Sequence, residues 1–487
     1  MVFSSNIFLL YFMPIFFLVY FILPKKMRNY FLLFASLVFY AWGAPEFIIQ
    51  LFVSTIANFY LVRWMCKTDK PGLKKVLCGI SVAISIGLLF YFKYGNFTMQ
   101  NLNAILGWMG CQNVTWTKIL LPIGISFFSF QSVTYTLDTY RDVNKPMERL
   151  SDYMLYITMF PQLIAGPIIR YCDIADQIRN RDSLYTDRLH GFYRFVIGLC
   201  KKVLIADVIG FQVDQILGPS NYDVLTSAQL ADIASKIATI DSTSAWIAIF
   251  AFTFQIYFDF AGYSDMAIGL GKMMGFRFPE NFMNPYTSRS ITEFWRRWHI
   301  TLGTFMKEYL YIPLGGNRRG SGRTYLNLII VFLCSGFWHG ASWNFVIWGA
   351  YHGLFQIFER LGMAKVLDKM GKLPSVLLTF LIVNLGWVLF RADNLSQAFG
   401  FYKALFAFSS GSMLTLTPRF WFIFALALLF SFITLLKKGQ ALQDKIFADS
   451  YSAKLSWIMF VLVAVLFVLS VGSLLVTDFN PFIYFRF

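Results

Sequence analysis

Charge is scarce in this sequence. Of its 487 residues only 14% are Asp, Glu, Lys or Arg, against roughly 25% in an average soluble domain, and no long polar stretch leaves room for a large soluble domain. The six cysteines (Cys66, Cys78, Cys111, Cys172, Cys200, Cys334) are scattered, with no CxxC pair and no regular spacing. They suggest neither a disulfide framework nor a zinc site, and most are expected to be buried small apolar residues. Internal repeats, low-complexity linkers and the inverted halves of many secondary transporters are missing as well. No basic stretch precedes the first apolar run, and no small-residue cleavage pattern follows Leu23, so that run reads as a retained span.

What the chain has instead is apolar length: 57% of it is hydrophobic and 19% aromatic. Apolar runs recur from Ile7–Leu23 through Val76–Phe92, Ile119–Phe130, Trp246–Phe258, Val376–Phe390 and Phe420–Leu436 to Leu455–Val476, the pattern of an all-α polytopic membrane protein. One membrane-embedded domain over residues 1–487 is the simplest partition. The net charge of +16 needs no nucleic acid, because cytoplasmic loops of membrane proteins are enriched in Lys and Arg. Twelve candidate spans with the amino terminus outside place 32 of the 42 basic residues in seven inside segments and 5 in the outside segments. Both termini are then expected outside.

Two places depart from simple spans. Tyr153–Ile169 is apolar but broken by Pro161 and by Gly166-Pro167, with basic segments on both sides, which fits a re-entrant hairpin. Between Arg323 and His339 the apolar run is about 13 residues, roughly 20 Å of helix against a hydrocarbon core of about 30 Å. Ser335, Gly336 and Gly340 surround His339 and are expected to let the helix break there. An ionisable group at that depth faces a cavity or pathway, or else is a neutral packing residue.

The inside segment Lys272–Tyr325 is too polar to span. Ser290-Ile291-Thr292-Glu293 matches a capping box, so a helix should begin near Ile291 and end before Pro313. Trp295, Trp298, His299 and Leu302 share one face at helical spacing, with Arg296 and Arg297 opposite, as in an interfacial helix. That face directs His299 towards the bundle that holds His339. Gly315-Gly316-Asn317-Arg318-Arg319-Gly320 is a basic turn for lipid headgroups or cofactor phosphates; it is not a P-loop and follows no strand. Asp259 and Asp265, about 240° apart on a helix, read as structural carboxylates paired with Lys or Arg. Asn344, Trp348, Tyr351, His352 and Phe355 form a stripe that must look into the bundle. His190 sits at a membrane boundary with nothing to mark it as catalytic.

Taken together, YFDFAGYSDMAIGLGKMMGFRFPENF, SRSITEFWRRWHITL, YLYIPLGGNRRG and FWHGASWNFVIWGAYHG resemble the signature of the membrane-bound O-acyltransferases, and within them the membrane subunits of alginate O-acetylase and related polysaccharide acetylation systems. The opening MVFSSNIFLLYFMPIF and closing FIYFRF extend the likeness from end to end. The resemblance implies a ring of about 11–12 transmembrane helices, with re-entrant and interfacial helices, around a thinned centre where cytoplasmic and outer funnels meet. It implies catalytic roles for His339 (in FWHG) and His299 (in RRWH). From their places beside these histidines and in the basic segments, Trp338, Asn344 and His352 are expected to support them, and Arg296, Arg297, Arg318 and Arg319 are candidate cofactor-binding residues, within the core motifs of 255–355. The resemblance further implies acetyl-CoA as donor with no tightly bound cofactor, a bacterial cytoplasmic membrane, a polysaccharide acceptor, and an outer transferase of the SGNH class as partner. In the outer tail, residues 477–487, Tyr484 is either an acyl carrier or an aromatic anchor. D-alanyl or peptidoglycan acyltransfer, an inactive scaffold, and a transporter or flippase with an intramembrane proton relay stay open as alternatives.

Overall fold

The computed structural model describes residues 1–219, 226–409, 411, 416–448 and 451–476. In hydrocarbon no water can satisfy backbone groups, so spanning segments must close their hydrogen bonds internally. Among the described residues the regular structure is accordingly helical, with one isolated β-bridge between Phe282 and Trp298. Among the described residues six helices are long and apolar enough to cross a membrane: Pro45–Lys67, Pro71–Trp108, Ser242–Met273, Lys372–Arg391, Pro418–Leu435 and Ala453–Val476. A shorter apolar helical stretch, Phe8–Ile22, lies in the first run. The chain is an all-α polytopic membrane protein.

The chain forms two compact units, Met1–Gly191 with Ala267–Pro279, and Phe192–Met266 with the chain from Glu280 onward. In the first, Tyr153–Ile169 is broken as its prolines require: one helix ends at Thr158, Met159 leaves helical geometry, and a single turn, Phe160–Leu163, follows with Pro161 in its first turn. Protein groups take up the freed backbone. Phe160 N–H donates to Ser36 Oγ at 3.1 Å, Tyr156 Oη to the Ile169 carbonyl at 3.0 Å, and Tyr171 N–H to Thr134 Oγ1 at 3.1 Å.

The second unit holds six elements used below: α1 (Ser242–Met273, as far as Met266), α2 (Ile291–Arg297), α3 (Ile300–Met306), α4 (Ser321–His339), α5 (Trp343–Phe358) and α6 (Lys372–Arg391). In its most apolar window α1 is 83% buried, whereas Ala453–Val476 is 17% buried; the first is central and the second faces lipid. Close approach to α1 needs glycine on both sides, since a Cβ on Gly198 would stand 2.5 Å from the Gly262 carbonyl oxygen.

The carboxylates of α1 pair as their burial demands. Asp265 accepts from Arg194 Nε at 2.7 Å and Lys201 Nζ at 2.6 Å, and Asp259 faces Lys202 Nζ at 2.8 Å with both side chains almost fully buried. An isolated charge there would cost several kcal/mol. The expectation of mostly buried cysteines is corrected: only Cys78 is buried. In a lipid-facing chain a small apolar residue gains nothing by being inside.

Candidate active site

The helical spacing of Trp295, Trp298, His299 and Leu302 does not continue as one helix. Ser290 Oγ accepts from Glu293 N–H at 3.1 Å and starts α2, as its sequence foretells, although Glu293 reaches back to Arg289 N–H rather than to Ser290. Then α2 stops: Trp298 is extended and His299 is left-handed, with φ 46° and ψ 52°, before α3 begins. The cause is a strand-like pairing with the segment that follows Pro279. Met283 N–H donates to the Arg297 carbonyl at 2.9 Å and Ile300 N–H to the Asn281 carbonyl at 3.0 Å. The left-handed geometry is costly for a residue with a Cβ, and these bonds hold it.

The seat fixes the imidazole as well. Asn281 Oδ1 lies 3.0 Å from His299 Nδ1, 2.9 Å from Thr301 Oγ1 and 3.4 Å from Thr301 N–H, while Asn281 Nδ2 donates to Ser264 Oγ at 3.0 Å. A backbone amide can only donate, so the atom it meets is the oxygen of the asparagine. His299 Nε2 has no hydrogen-bond partner among the described residues. The ring is 1% exposed, and burial lowers its pKa from 6.5 to about 3.

His339 arrives on α4. That helix has 19 residues and extends beyond its short apolar run. The break expected around His339 is present: the chain leaves α4 at Gly340, while Ser335 and Gly336 are themselves helical. Gly336 serves packing, because a Cβ there would sit 2.2 Å from the Phe345 carbonyl oxygen and 3.0 Å from Gly349. The hairpin of α4 and α5 can therefore close tightly behind the histidine.

His339, 3% exposed, lies among aromatic rings. Its centroid is 5.1 Å from Trp338, 5.2 Å from Trp348 and 5.4 Å from Phe390, all edge-on. The His299 and His339 rings are 6.4 Å apart, and Trp338 is 6.0 Å from His299. Edge-on aromatic pairs of this kind contribute about 0.5–1.5 kcal/mol each beyond area burial, and several together leave both imidazoles little freedom.

Of the other expected site residues, His352 is buried one ring further along, 5.0 Å from Trp348 and 5.0 Å from Trp295. Asn344 turns to α6, its Nδ2 donating to the Ala392 carbonyl at 2.6 Å. Arg297 is held by Glu293 at 2.6 Å and Thr287 Oγ1 at 3.2 Å, whereas Arg296 is exposed. Arg318 and Arg319 are exposed in a turn made by left-handed Gly315, Gly316 and Gly320. Tyr484 lies outside the described residues. Two residues that the motif reading passed over, Asn281 and Phe260 (4.7 Å from His299), complete the setting. The only hint of Asn281 was its place in the PENF stretch.

These features define a polytopic helical membrane protein with two histidines brought together in its buried interior. Residues 86–367 match the model of MBOAT, the membrane-bound O-acyltransferase family. The chain belongs to this family and is an acyltransferase. It is 40% identical to the probable alginate O-acetylase AlgI of Pseudomonas putida over 507 aligned positions, covering 100% of each chain. The peptidoglycan O-acetyltransferase of Helicobacter pylori is 36% identical, over 86% of this chain and 82% of that one. The teichoic acid D-alanyltransferase of Streptococcus thermophilus is 27% identical, over 64% and 81%.

Proposed function

We propose that the protein is an O-acetyltransferase that takes acetyl from cytosolic acetyl-CoA and delivers it across a bacterial cytoplasmic membrane to an extracytoplasmic polysaccharide. The observation that carries this reading is the pairing of the His299 and His339 rings at 6.4 Å in a chain of an O-acyltransfer family. Measured between ring centres, that separation is wider than two directly hydrogen-bonded imidazoles would show, and in this reading one hydroxyl oxygen bridges a nitrogen of each ring through bonds of about 2.8–2.9 Å. His339 takes the proton of the attacking hydroxyl as general base, a role suited to an imidazole. The hydroxyl oxygen attacks the thioester carbonyl, the C–S bond breaks, and the coenzyme thiol leaves with a proton. His299 accepts a hydrogen bond at Nε2 and orients the hydroxyl.

In this reading the helices surround a thinned centre reached from both faces, and Arg296, Arg297, Arg318 and Arg319 meet phosphates of the donor or of lipid on the cytoplasmic side. Tyr484 accepts the acetyl group and passes it to an outer transferase of the SGNH class. Peptidoglycan is the second acceptor to test, favoured by the 36% identity to the Helicobacter pylori enzyme.

Purified protein supplied with labelled acetyl-CoA tests the proposal. Wild type is expected to carry label on Tyr484, located by peptide mapping, and His339→Ala to carry none. Tyr484→Phe keeps an aromatic anchor while removing the hydroxyl, so unchanged polysaccharide acetylation in that variant discards the relay. A wild-type protein that moves no acetyl group from acetyl-CoA to any hydroxyl overturns the function.

A further inference from the structure

We infer that Asn281 is a positioning residue: it fixes His299 as the tautomer with hydrogen on Nδ1, so that Nε2 is a standing hydrogen-bond acceptor for the hydroxyl that receives the acyl group. The inference rests on the acetyl-transfer reading for its role and on geometry for its content. Oδ1 of Asn281 already accepts from Thr301 N–H at 3.4 Å and Thr301 Oγ1 at 2.9 Å, so His299 Nδ1, at 3.0 Å from the same atom, can only be a donor. Amide inversion is opposed because Nδ2 donates to Ser264 Oγ at 3.0 Å. Asn281 is fully buried, and its carbonyl accepts from Ile300 N–H at 3.0 Å; one residue thus sets both the backbone and the ring of His299.

A histidine carries one hydrogen when neutral, and the partner of one nitrogen decides what the other can do. With Nδ1–H committed to Asn281, Nε2 cannot donate. The same ring in the opposite tautomer would present a hydrogen to the reacting oxygen and compete for the lone pair that attacks the thioester. The arrangement therefore orients an acceptor hydroxyl with its hydrogen towards His299 or His339 and a lone pair free for carbon.

Nitrogen NMR of the purified, 15N-histidine-labelled protein reads this directly, because the chain has four histidines and the His299 signal is assigned by its loss in His299→Asn. The expected wild-type signature is Nδ1 protonated and Nε2 bare; the reverse pattern overturns the inference without reference to activity. Asn281→Leu, of similar size and with no acceptor, is expected to redistribute the tautomers and slow acetyl transfer about 10–100-fold. Asn281→Asp restores the acceptor and should recover the wild-type tautomer and most of the rate. Asn281→Leu with tautomer and rate both unchanged also overturns the inference. Absence of transfer in wild type, with the expected tautomer present, supports the hydrogen bond and counts against the acetyl-transfer reading.

Discussion

Glu359, just beyond the helix that carries His352, closes the start of the helix that leads to His299: its two carboxylate oxygens accept from the backbone N–H groups of Ile291 and Thr292, the second at 3.0 Å. Gln356, one turn earlier, receives Thr292 Oγ1 at 3.0 Å. The first amides of a helix have no partner within it, and a carboxylate there is favoured by the helix dipole. Because α5 is tightly paired with α4, this contact links the element bearing His339 to the one leading into His299.

Glu359→Ala is accordingly expected to act at a distance. Loss of the cap should cost about 1–2 kcal/mol, seen as a lower Tm in detergent. Acetyl transfer should fall further than the stability loss alone explains, since α2 would no longer be registered against α5. Glu359→Gln keeps one acceptor and is expected to fall between the two. A Tm and rate equal to wild type in Glu359→Ala would show that the contact orders nothing.

Glycine at 336 has no conformational role, since it lies within a helix, so its effect must be steric. Gly336→Ala places a methyl group against the Phe345 carbonyl oxygen, which cannot rotate away. The expected cost is about 1–3 kcal/mol, together with displacement of His339 three residues on. Gly79→Ala is the control: nothing lies within 4 Å of its added Cβ, and helix propensity favours alanine by about 1 kcal/mol. Melting the two variants side by side should give shifts of opposite sign, and equal shifts would remove the packing explanation.

Much of this was legible in the sequence, for reasons that differ by residue. Apolar runs, the break in Tyr153–Ile169 and the Ser290 cap follow from solvent and local chemistry, and the pairing of Asp259 and Asp265 follows from the cost of buried charge. His299 and His339 could be placed together because both sit among apolar residues that must turn inward, although His299 does so from a left-handed junction and not from a helix face. The break at Trp298 was hidden, since the periodicity runs through it and the pairing that causes it involves Asn281–Met283, distant in sequence. The flanking glycines foretold the break at Gly340, but not that Gly336 serves packing instead: a small residue permits either a bend or close approach, and only its neighbour decides. The cysteines misled because lipid removes the distinction between inside and outside on which burial rules depend.

The depressed pKa of His299 carries a stability signature of definite sign. Unfolded, the ring takes up a proton as pH falls through about 6.5; folded, it resists until about pH 3. Protons then favour the unfolded state throughout that window. The stability contributed above about pH 6.5 is progressively lost on acidification, at up to 1.36 kcal/mol per pH unit. From about pH 7 to about pH 5 the wild type should lose about 2 kcal/mol through this group. His299→Asn is the informative comparison, because asparagine tolerates left-handed backbone and does not titrate. The variant should be less stable at neutral pH yet show a shallower fall of Tm with acid, so that the two curves converge. Parallel curves would mean that His299 takes up protons in the folded protein as readily as in the unfolded chain, and hence that its ring is not desolvated as its burial in the structure requires.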